Sequence, residues 1–389
     1  MTAAAGAGGG GAAPPPPRPV ARTAELLGRR ADRAVPVGGG SICDAYQVVL
    51  APRGEHPAPG GGEHGSVARE PAGADTGHAG HASTAGDPED ADAGHAGAPA
   101  ETAASAAPAA PAETAASAAP AASAETAVPA ATTVFATTVF AKALDAAPAD
   151  FFAAEAAGLA RLRATGTVPV PEVYAAERDV LVLQWIEPGA PDRAAAEQLG
   201  RGLAALHGTP APSWGTPGEP CYLGPLPLTS PPRPTADPAA WPGFHAEHRL
   251  LPLLRAAVDS ARIGPRDARD VERVCDRLDD EAVAGPPQPP AVIHGDLWSG
   301  NVHWTADGRA VLIDPAAQGG HPETDLAMLE LFGCPELPVL LAAYEEVRPL
   351  PGRRARVPLH QLQHLLVHAV LFGGGYGAES GAAARAALG

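Results

Sequence analysis

The stretch VIHGDLWSGN, residues 292–301, determines how the rest of the sequence is interpreted. His294, Asp296 and Asn301 stand in it with the spacing H-x-D-L-x-x-x-N. In phosphoryl-transfer sites of the kinase type, the aspartate of such a loop accepts the proton of the attacking hydroxyl. The asparagine that follows it offers a neutral carbonyl oxygen, which suits a hard cation such as Mg²⁺. The spacing therefore predicts a catalytic loop with Asp296 as base and Asn301 as metal ligand.

Short apolar segments flank this loop on both sides. Residues 291–294 (AVIH) and 310–314 (AVLID) are typical of short buried strands. Asp314 ends the second segment, so its carboxylate is expected beside the loop, where it would help to hold Mg²⁺ against nucleotide phosphates. A capping aspartate or a turn asparagine would explain any one of these residues alone. Their combination favours a phosphotransferase.

One basic residue differs from all the others. Of the 27 Lys and Arg residues, only Lys142 is a lysine, and the loop above holds the only asparagine of the sequence. Lys142 lies in the predicted strand 137–143, and Glu155 follows in a predicted helix. A compact strand ammonium held by a helix carboxylate positions ATP phosphates in kinases. A solvated lysine on an edge strand is the alternative.

A glycine-rich turn precedes the first predicted strand. Gly39, Gly40 and Ser41 follow a further glycine, and exposed backbone N–H groups there would be able to cover phosphates. The run matches neither the G-x-x-x-x-G-K motif nor the G-x-G-x-x-G motif, and glycine is frequent throughout the chain. Its position before Lys142 is what favours a nucleotide-binding role.

Composition limits the possible functions. The 389 residues include 44 Asp and Glu against 27 Lys and Arg, which gives a formal net charge of −17. Such a chain lacks the cationic surface that neutralises nucleic-acid phosphates, so no nucleic-acid partner is expected. Because no run of 18 apolar residues occurs, no membrane span is expected either. The four cysteines form no C-x-x-C pair and no secretory signal is recognised, so we expect a reducing, cytoplasmic location.

Low-complexity segments divide the chain. Residues 1–19 are rich in Ala, Gly and Pro, and residues 54–131 contain no Leu, Ile, Met, Phe, Tyr, Trp or Cys. Segments without large apolar side chains cannot offset the entropy lost on ordering, so both are predicted to be disordered. We predict an N-lobe over residues 20–187, with the acidic insertion 54–131 inside it, and a helical C-lobe with the catalytic loop over residues 188–389.

Hydrophobic periodicity predicts strands early in the chain and helices late. Strands are predicted at residues 45–50, 137–143 and 180–186, with the insertion in the turn of the hairpin that the first two form. Helices are predicted at residues 21–34, 149–165, 194–207, 241–258, 265–283 and 357–372. The pattern indicates an α+β fold with a small β-rich N-lobe, a larger helical C-lobe and a long disordered insertion in the N-lobe hairpin.

Several blocks resemble the fructosamine kinase (ketosamine-3-kinase) family. They are GGSI (39–42), VFAK (139–142), FFAAEAAGL (151–159), LVLQWIEPG (181–189), WPGFHAEHRLLP (241–252), VIHGDLWSGN (292–301), IDPAAQGGHPETDLAMLELFG (313–333) and HAVLFGGGYG (368–377). The resemblance implies the two-lobed protein-kinase-like fold of aminoglycoside phosphotransferases and choline kinases. It also implies ATP-dependent phosphorylation of a sugar hydroxyl on ketosamines, the adducts that form when a sugar glycates an amine, and so a role in deglycation.

The resemblance implies a role for each matching residue. Asp296 would be the catalytic base, and Asn301 and Asp314 would be the Mg²⁺ ligands. The residues expected to bind ATP are Lys142, Glu155, Gly39, Gly40, Ser41 and the hinge residues Gln184, Trp185, Ile186 and Glu187. The residues expected to contact substrate are Trp298, His321 and Glu323, and those expected to support the catalytic loop are His294 and Asp325. Core packing is the alternative for Trp298, and hydrogen-bond support of the loop is the alternative for His321.

Two other functions fit parts of the sequence. An aminoglycoside- or choline-type phosphotransferase shares the HGD…N skeleton but usually lacks the tryptophan at position 298. A non-catalytic pseudokinase or interaction protein is the second alternative, although every catalytic position is filled here. The expected ligands are ATP, Mg²⁺ and a small-molecule ketosamine or glycated amine. The sugar, the amine carrier and the oligomeric state stay open, with a monomer as the expectation.

Overall fold

The computed structural model describes residues 15–38, 42–52 and 136–389. An antiparallel sheet of five strands forms the first part of the chain, in the order β1-β2-β3-β5-β4. The strands are β1 (Ala31–Pro36), β2 (Asp44–Leu50), β3 (Thr138–Ala143), β4 (Val173–Ala176) and β5 (Leu181–Gln184). Two helices accompany them, α1 (Arg18–Leu27) and α2 (Phe151–Thr165).

The two faces of strand β3 meet different partners. Val139 and Ala141 are fully buried in a cluster with Val48 of β2 and Val20 of α1. Phe140 points to the other face, where it packs against the cluster built around α2. The period of two along a strand produces this separation, and Lys142 shares the second face. The alternation therefore places the lysine on the α2 side of the sheet.

The long insertion lies between two strands that are paired neighbours. Strands β2 and β3 are antiparallel with Val49 opposite Thr138, which confirms the predicted hairpin. The Arg29 guanidinium joins its two ends, since Nε donates to Ala51 O at 2.9 Å and Nη1 donates to Ala136 O at 2.5 Å. The predicted disorder of residues 54–131 lies outside the described residues. What the structure shows is that the hairpin ends stay together on either side of them.

The predicted helix 21–34 was wrong at both ends. The helix begins at Arg18, so the predicted disorder of residues 1–19 was wrong at its end. It stops at Leu27 because Gly28 adopts a left-handed conformation with φ of +59° and caps it. Residues from Ala31 onward form the edge strand β1. Its polar sequence ADRAVP shows no clear alternation, which is why the pattern did not reveal it.

The second part of the chain is mainly helical. Its helices are α3 (Arg193–Leu206), α4 (Trp241–His245), α5 (Leu251–Asp259), α6 (Pro265–Cys275), α7 (Glu281–Ala284), α8 (Pro322–Phe332), α9 (Leu337–Val347), α10 (Arg353–Phe372) and α11 (Tyr376–Leu388). Three antiparallel two-stranded ribbons complete it, formed by β6 (Tyr222–Leu223) with β7 (Leu226–Pro227), β8 (Ala291–Ile293) with β11 (Gln318–Gly320), and β9 (Val302–Trp304) with β10 (Ala310–Leu312). No helix of the described part is long and apolar enough to cross a membrane.

Two predicted helices of this part are divided. The segment 241–258 contains a π-helical turn at Ala246–Leu250 between α4 and α5. The segment 265–283 stops at Cys275 and resumes as the short α7. Strands β4, β9 and β11 were not predicted, because three or four residues are too few to show a period. The observed α+β architecture, a five-stranded sheet followed by a helical part, agrees with the predicted fold class.

We predict that deleting residues 56–130 preserves the fold. Shortening the connection by about three doublings stabilises the fold by roughly 2 kcal/mol through loop-closure entropy. The deleted chain should melt at the same or a higher temperature in circular dichroism. As a control, Arg29→Ala should lower the melting temperature of both chains, because it removes the bonds to Ala51 and Ala136. Insoluble or unfolded protein after the deletion would contradict the account.

Candidate active site

A cleft of about 560 Å³ lies between the five-stranded sheet and the loop that follows β8. Phe140 and Lys142 line it from the sheet, and Glu155 lines it from α2. Asp296 and Asn301 line it from the opposite side. The sequence separates Phe140 and Lys142 from the loop residues by more than 150 positions, and the fold brings them to one cavity. Gly39, Gly40 and Ser41 lie outside the described residues, although Gly38 and Ile42 on either side of them line the cleft.

The predicted catalytic loop runs from β8 to β9 through a 3₁₀ turn at Ser299–Asn301. Asn301 Nδ2 donates to the backbone oxygen of Asp296 at 2.8 Å and to its Oδ2 at 3.2 Å. The amide nitrogen is thereby engaged, which leaves Asn301 Oδ1 as the atom available to a cation. Burial raises the pKa of Asp296 to about 7, and the charge of Asp314 acts in the same direction.

A single buried carboxylate holds the start of this loop. Asp325, in the first turn of α8, accepts hydrogen bonds from His294 N at 2.7 Å and Gly295 N at 2.8 Å. His207 Nε2 lies 3.1 Å from the same carboxylate. Burial is the largest influence and opposes the charge of Asp325, but the hydrogen bonds from His207 and Gly295 N, with the nearby His207 and His294 rings, together outweigh it and hold the pKa of Asp325 below its ordinary value. The carboxylate is therefore ionised and fixes two consecutive backbone N–H groups next to Asp296.

His294 and Gly295 complete the support. The His294 ring contacts Ile313 O at 3.0 Å through Nε2, and its Nδ1 accepts from Asp296 N at 3.3 Å. Burial lowers the pKa of His294, so the neutral ring fits both contacts. Gly295 has φ of +82°, and a Cβ there would lie 2.2 Å from Ala316 O. Only glycine fits this position, because both the conformation and the space exclude a side chain.

Lys142 forms the centre of the charged groups in the cleft. Its Nζ lies 2.7 Å from Glu155 Oε1 and 2.9 Å from Asp314 Oδ1. Burial alone would lower the pKa of Lys142, but Asp314 and Glu155 raise it above its ordinary value, so the side chain is an ammonium. Burial in turn raises the pKa of Glu155 against the opposing charge of the lysine. The geometry is that of a phosphate-positioning pair, with Asp314 as a second carboxylate partner.

Asp314 is held in a conformation that few residues adopt. Its φ is +52°, in the left-handed region, although it is not glycine. This conformation directs the carboxylate into the cleft, where the side chain is 43 % exposed. The exposed fraction distinguishes it from the buried Glu155, and Asp314 is therefore the carboxylate that a ligand can reach.

The donor set fits a hard divalent cation. Asp314 and Asn301 present oxygen atoms. The carboxylates of Glu155, Asp296 and Asp314 outnumber the two cationic side chains that line the cleft, Lys142 and Arg161. Oxygen-only ligands and an excess of negative charge suit Mg²⁺. No group of three His, Cys, Asp or Glu side chains in the described ranges has the geometry of a metal site. The amide of Asn301 and the phosphates of a nucleotide would have to complete the coordination.

The predicted hinge is only partly in the cleft. Gln184, Trp185 and Ile186 line it, whereas Glu187 does not. Glu187 O accepts from Ala306 N at 3.1 Å, and its carboxylate accepts from Trp185 Nε1 at 2.9 Å. Adenine binding by the hinge stays a prediction. Gln184, Trp185 and Ile186 lie where it requires, whereas Glu187 is hydrogen-bonded through its backbone to the second part of the chain.

The structure does not bring two predicted substrate residues to the cleft. His321 caps α8 and packs against Trp241 with ring centroids 5.0 Å apart. Glu323 is 2 % exposed and accepts from Arg356 Nε at 3.0 Å. Neither side chain lines the cleft, so the structure does not bring them beside Asp296, and their contact with substrate stays a prediction. Their proximity in sequence to Asp325 made them plausible, but successive residues of a helix point in different directions.

Trp298 does line the cleft, and its ring is not in the core. It is partly exposed and lies over Gly300, where a Cβ would meet the ring at 2.3 Å. The core-packing alternative is therefore not supported by its position. The ring forms a flat wall two residues from Asp296.

Sequence reasoning missed several residues that shape the site. His207 touches Asp325 across 118 positions, and Tyr344 OH lies 3.0 Å from the other nitrogen of the same imidazole. His303 Nε2 lies 3.1 Å from Ile186 O and ties the hinge to β9. Arg161 lines the cleft from α2. Since each contact joins distant elements, no local pattern indicates them.

Comparison with known proteins agrees with this geometry. The fructosamine kinase family model matches residues 108–388, which is more than half of the chain. A Synechocystis protein designated Probable ketoamine kinase is 38 % identical over 247 residues, covering 61 % of this chain and 78 % of that protein. The rice Protein-ribulosamine 3-kinase, chloroplastic, is 31 % identical over 234 residues, covering 58 % of this chain and 65 % of the other.

Solved structures agree as well. The crystal structure of a candidate fructosamine-3-kinase from Thermobifida fusca YX-ER1 has a TM-score of 0.66 at 38 % identity, covering 95 % of this chain and 98 % of that one. A second candidate fructosamine-3-kinase, from Haemophilus somnus 129PT, has a TM-score of 0.55 at 24 % identity, covering 65 % of this chain and 84 % of the other, and supports the fold alone. With its two-part α+β architecture and its kinase-type cleft, the chain belongs to the fructosamine kinase family of phosphotransferases.

Proposed function

We propose that this protein transfers the γ-phosphoryl group of ATP to a sugar hydroxyl of a ketosamine. The observation that carries the proposal is the joint placement of Asp296, Asn301, Asp314 and Lys142 in one cleft, in a chain that belongs to this family. The ribulosamine 3-kinase among its relatives acts on a ketosamine by its name, and the alternative acceptors, aminoglycosides and choline, have no such support.

Asp296 is the residue we assign as general base. It accepts the proton of the attacking hydroxyl while the oxygen bonds to phosphorus. A raised pKa of about 7 suits this task, because the carboxylate is a stronger base than a solvated aspartate and still ionises near neutral pH. The bond from Asn301 Nδ2 to Oδ2 fixes the orientation of the carboxylate, so Oδ1 is the atom we expect to meet the hydroxyl.

Lys142 holds the phosphates of the nucleotide. Glu155 orients its ammonium, and burial keeps the charge free of bulk water, so its attraction for phosphate is strong. Asp314 and Asn301 would hold Mg²⁺, which neutralises the charge that develops on the phosphoryl oxygens when it is bound. Gln184, Trp185 and Ile186 offer the backbone groups and apolar surface for adenine.

Trp298 is the residue we assign to the acceptor sugar. Its ring forms one wall of the cleft beside Asp296. The C–H face of a sugar packs well on an aromatic plane, and such a contact leaves the sugar hydroxyls free to reach the base. The tryptophan therefore orients the acceptor and contributes no group to the proton transfer.

A panel of acceptors tests the proposed function directly. Purified protein with Mg²⁺ and ATP should consume ATP with ribulosamine, erythrulosamine or fructosamine adducts, and ³¹P NMR should show a sugar phosphate ester. Kanamycin and choline are the matched controls and should give no turnover above that without acceptor. Turnover of a control acceptor, with none for any ketosamine, would overturn the proposed substrate.

Asp296→Asn tests the assignment of the base. The amide keeps the shape of the side chain but cannot accept the proton, so kcat should fall by about 10² to 10⁴ fold. The affinity for ATP, measured by calorimetry, should stay within about threefold of the wild-type value. A variant with wild-type turnover would show that another group acts as base.

Lys142→Met separates the catalytic role of the lysine from its structural one. Losing the ammonium should lower kcat/KM by about 10² to 10³ fold and should also lower the melting temperature, because Glu155 and Asp314 are left unpaired. Adding Glu155→Gln removes one of these carboxylates, so the double variant should recover melting temperature without recovering activity. Recovery of both would contradict a direct role of Lys142 in phosphate binding.

A further inference from the structure

A run of aromatic rings leads away from the catalytic loop across the surface. We call it the aromatic shelf, and it consists of Trp298, Phe332, His368, Phe372 and Tyr376. The ring centroids of Trp298 and Phe332 are 6.4 Å apart, and those of Phe332 and His368 are 4.8 Å apart. His368 lies 5.4 Å from Phe372 and 5.1 Å from Tyr376. The contacts form an unbroken series from the loop to the ends of α10 and α11.

The shelf is unusual in its exposure. Phe332 is 37 % exposed and Phe372 is 47 % exposed, and they are the only large aromatic side chains of the described part that are exposed. Only 4 % of this chain is aromatic, and the other phenylalanines of the described part lie in or against the core. Keeping two such rings in water costs apolar burial, and both rings contact His368, so the exposed pair calls for a ligand.

The shelf is continuous with the cleft. Trp298 belongs to both, because its ring lines the cleft and also meets Phe332. Leu371, the neighbour of Phe372, reaches the cleft wall, where its Cδ1 would lie 3.4 Å from a Cβ placed on Gly224. A ligand that reacts at Asp296 and extends out of the cleft on the side of Trp298 would therefore pass over these rings.

The chemistry of the shelf selects what it can bind. None of its side chains is a carboxylate, lysine or arginine, and burial lowers the pKa of His368 against the effect of Glu379, so its ring is neutral at pH 7. Neutral aromatic faces attract apolar groups and also cations, since the π electrons are negative. The shelf thus suits a ligand that combines a positive charge with an apolar body.

A ketosamine has this combination. Its nitrogen is a secondary amine, protonated in neutral water, and it carries whatever alkyl or aromatic group the original amine had. Three sugar carbons separate this nitrogen from the oxygen on the third carbon, the position that the names of the relatives give for phosphorylation. The amine substituent therefore begins a few ångströms from the reacting atom, and a substituent that leaves the cleft on the side of Trp298 meets the shelf.

We propose that the aromatic shelf binds the amine carrier of the ketosamine and selects substrates whose carrier is apolar or aromatic. The proposal rests on the proposed function and adds to it the part of the substrate beyond the sugar. Phe332 and Phe372 supply the exposed faces, and the ring of Trp298 joins the carrier site to the sugar site.

The test compares two adducts of one sugar, one made from phenethylamine and one from glycine. Phe332→Ala and Phe372→Ala should each lower kcat/KM for the phenethylamine adduct about tenfold more than for the glycine adduct. Phe332→Leu keeps apolar volume without the π face and should give an intermediate loss. Val347→Ala, which truncates a side chain 54 % exposed on α9, is the matched control and should alter neither value.

The outcomes separate this proposal from the proposed function. An equal loss for both adducts, or no loss for either, would overturn the shelf while leaving ketosamine phosphorylation intact. Wild-type protein that turns over neither adduct, nor any other ketosamine, would overturn both. A second copy of this chain is the other possible occupant of the shelf, and sedimentation velocity on the same variants tests for it. If the variants dissociate a dimer while their kinetics stay unchanged, the shelf is a contact between copies and the proposal is overturned.

Discussion

The ammonium of Lys142, placed between two carboxylates, is the interaction on which the arrangement of the site depends. It joins strand β3, helix α2 through Glu155, and the end of β10 through Asp314. Three elements from both parts of the chain are thereby held at one point. A buried ion pair of this kind adds little net stability, but leaving any member unpaired is costly. The ion pairs therefore fix the relative positions of Lys142, Glu155 and Asp314, because moving any one of them away would leave a buried charge without a partner.

The rest of the helical part holds the catalytic loop against this centre. Asp325 fixes two consecutive backbone N–H groups at the start of the loop. His207 is hydrogen-bonded to Asp325, and Tyr344 is hydrogen-bonded to His207. All of these groups are buried, so the hydrogen bonds are protected from water. The loop can then present Asp296 and Asn301 at fixed positions, although the peptide itself is short and contains two glycines. Rigid support is what allows a polar loop to carry catalytic groups.

Features made by residues close together in the sequence could be predicted, and features made by contacts between distant residues could not. The spacing within residues 294–301 predicted the loop, because its residues act together within one turn of chain. Alternation around Lys142 predicted the correct face of β3, since the period of a strand is local. The kinase-type pattern predicted the pairing of Lys142 with Glu155, whereas the contact of Lys142 with Asp314 was not predicted and is seen only in the structure.

Other features could not be predicted because distant elements create them. His207 and Asp325 meet only when α3 and α8 pack, and nothing in either segment indicates the other. His321 and Glu323 stand near Asp325 in the sequence, but the turn of α8 directs them into the protein, away from the cleft. Strand β1 was not predicted because an edge strand needs few apolar residues. Helix α1 ends earlier than predicted because Gly28 adopts a left-handed backbone conformation.

Three carboxylates against two cationic side chains, Lys142 and Arg161, leave the cleft incomplete without a nucleotide and its divalent cation. Calorimetric titration of ATP into the wild-type protein and Asp314→Asn, each with Mg²⁺ and with EDTA, measures this dependence most directly. Mg²⁺ should strengthen ATP binding to the wild-type protein at least about tenfold, and Asp314→Asn should lose most of this gain. Equal affinity in EDTA, or an unchanged Mg²⁺ effect in the variant, would contradict this dependence.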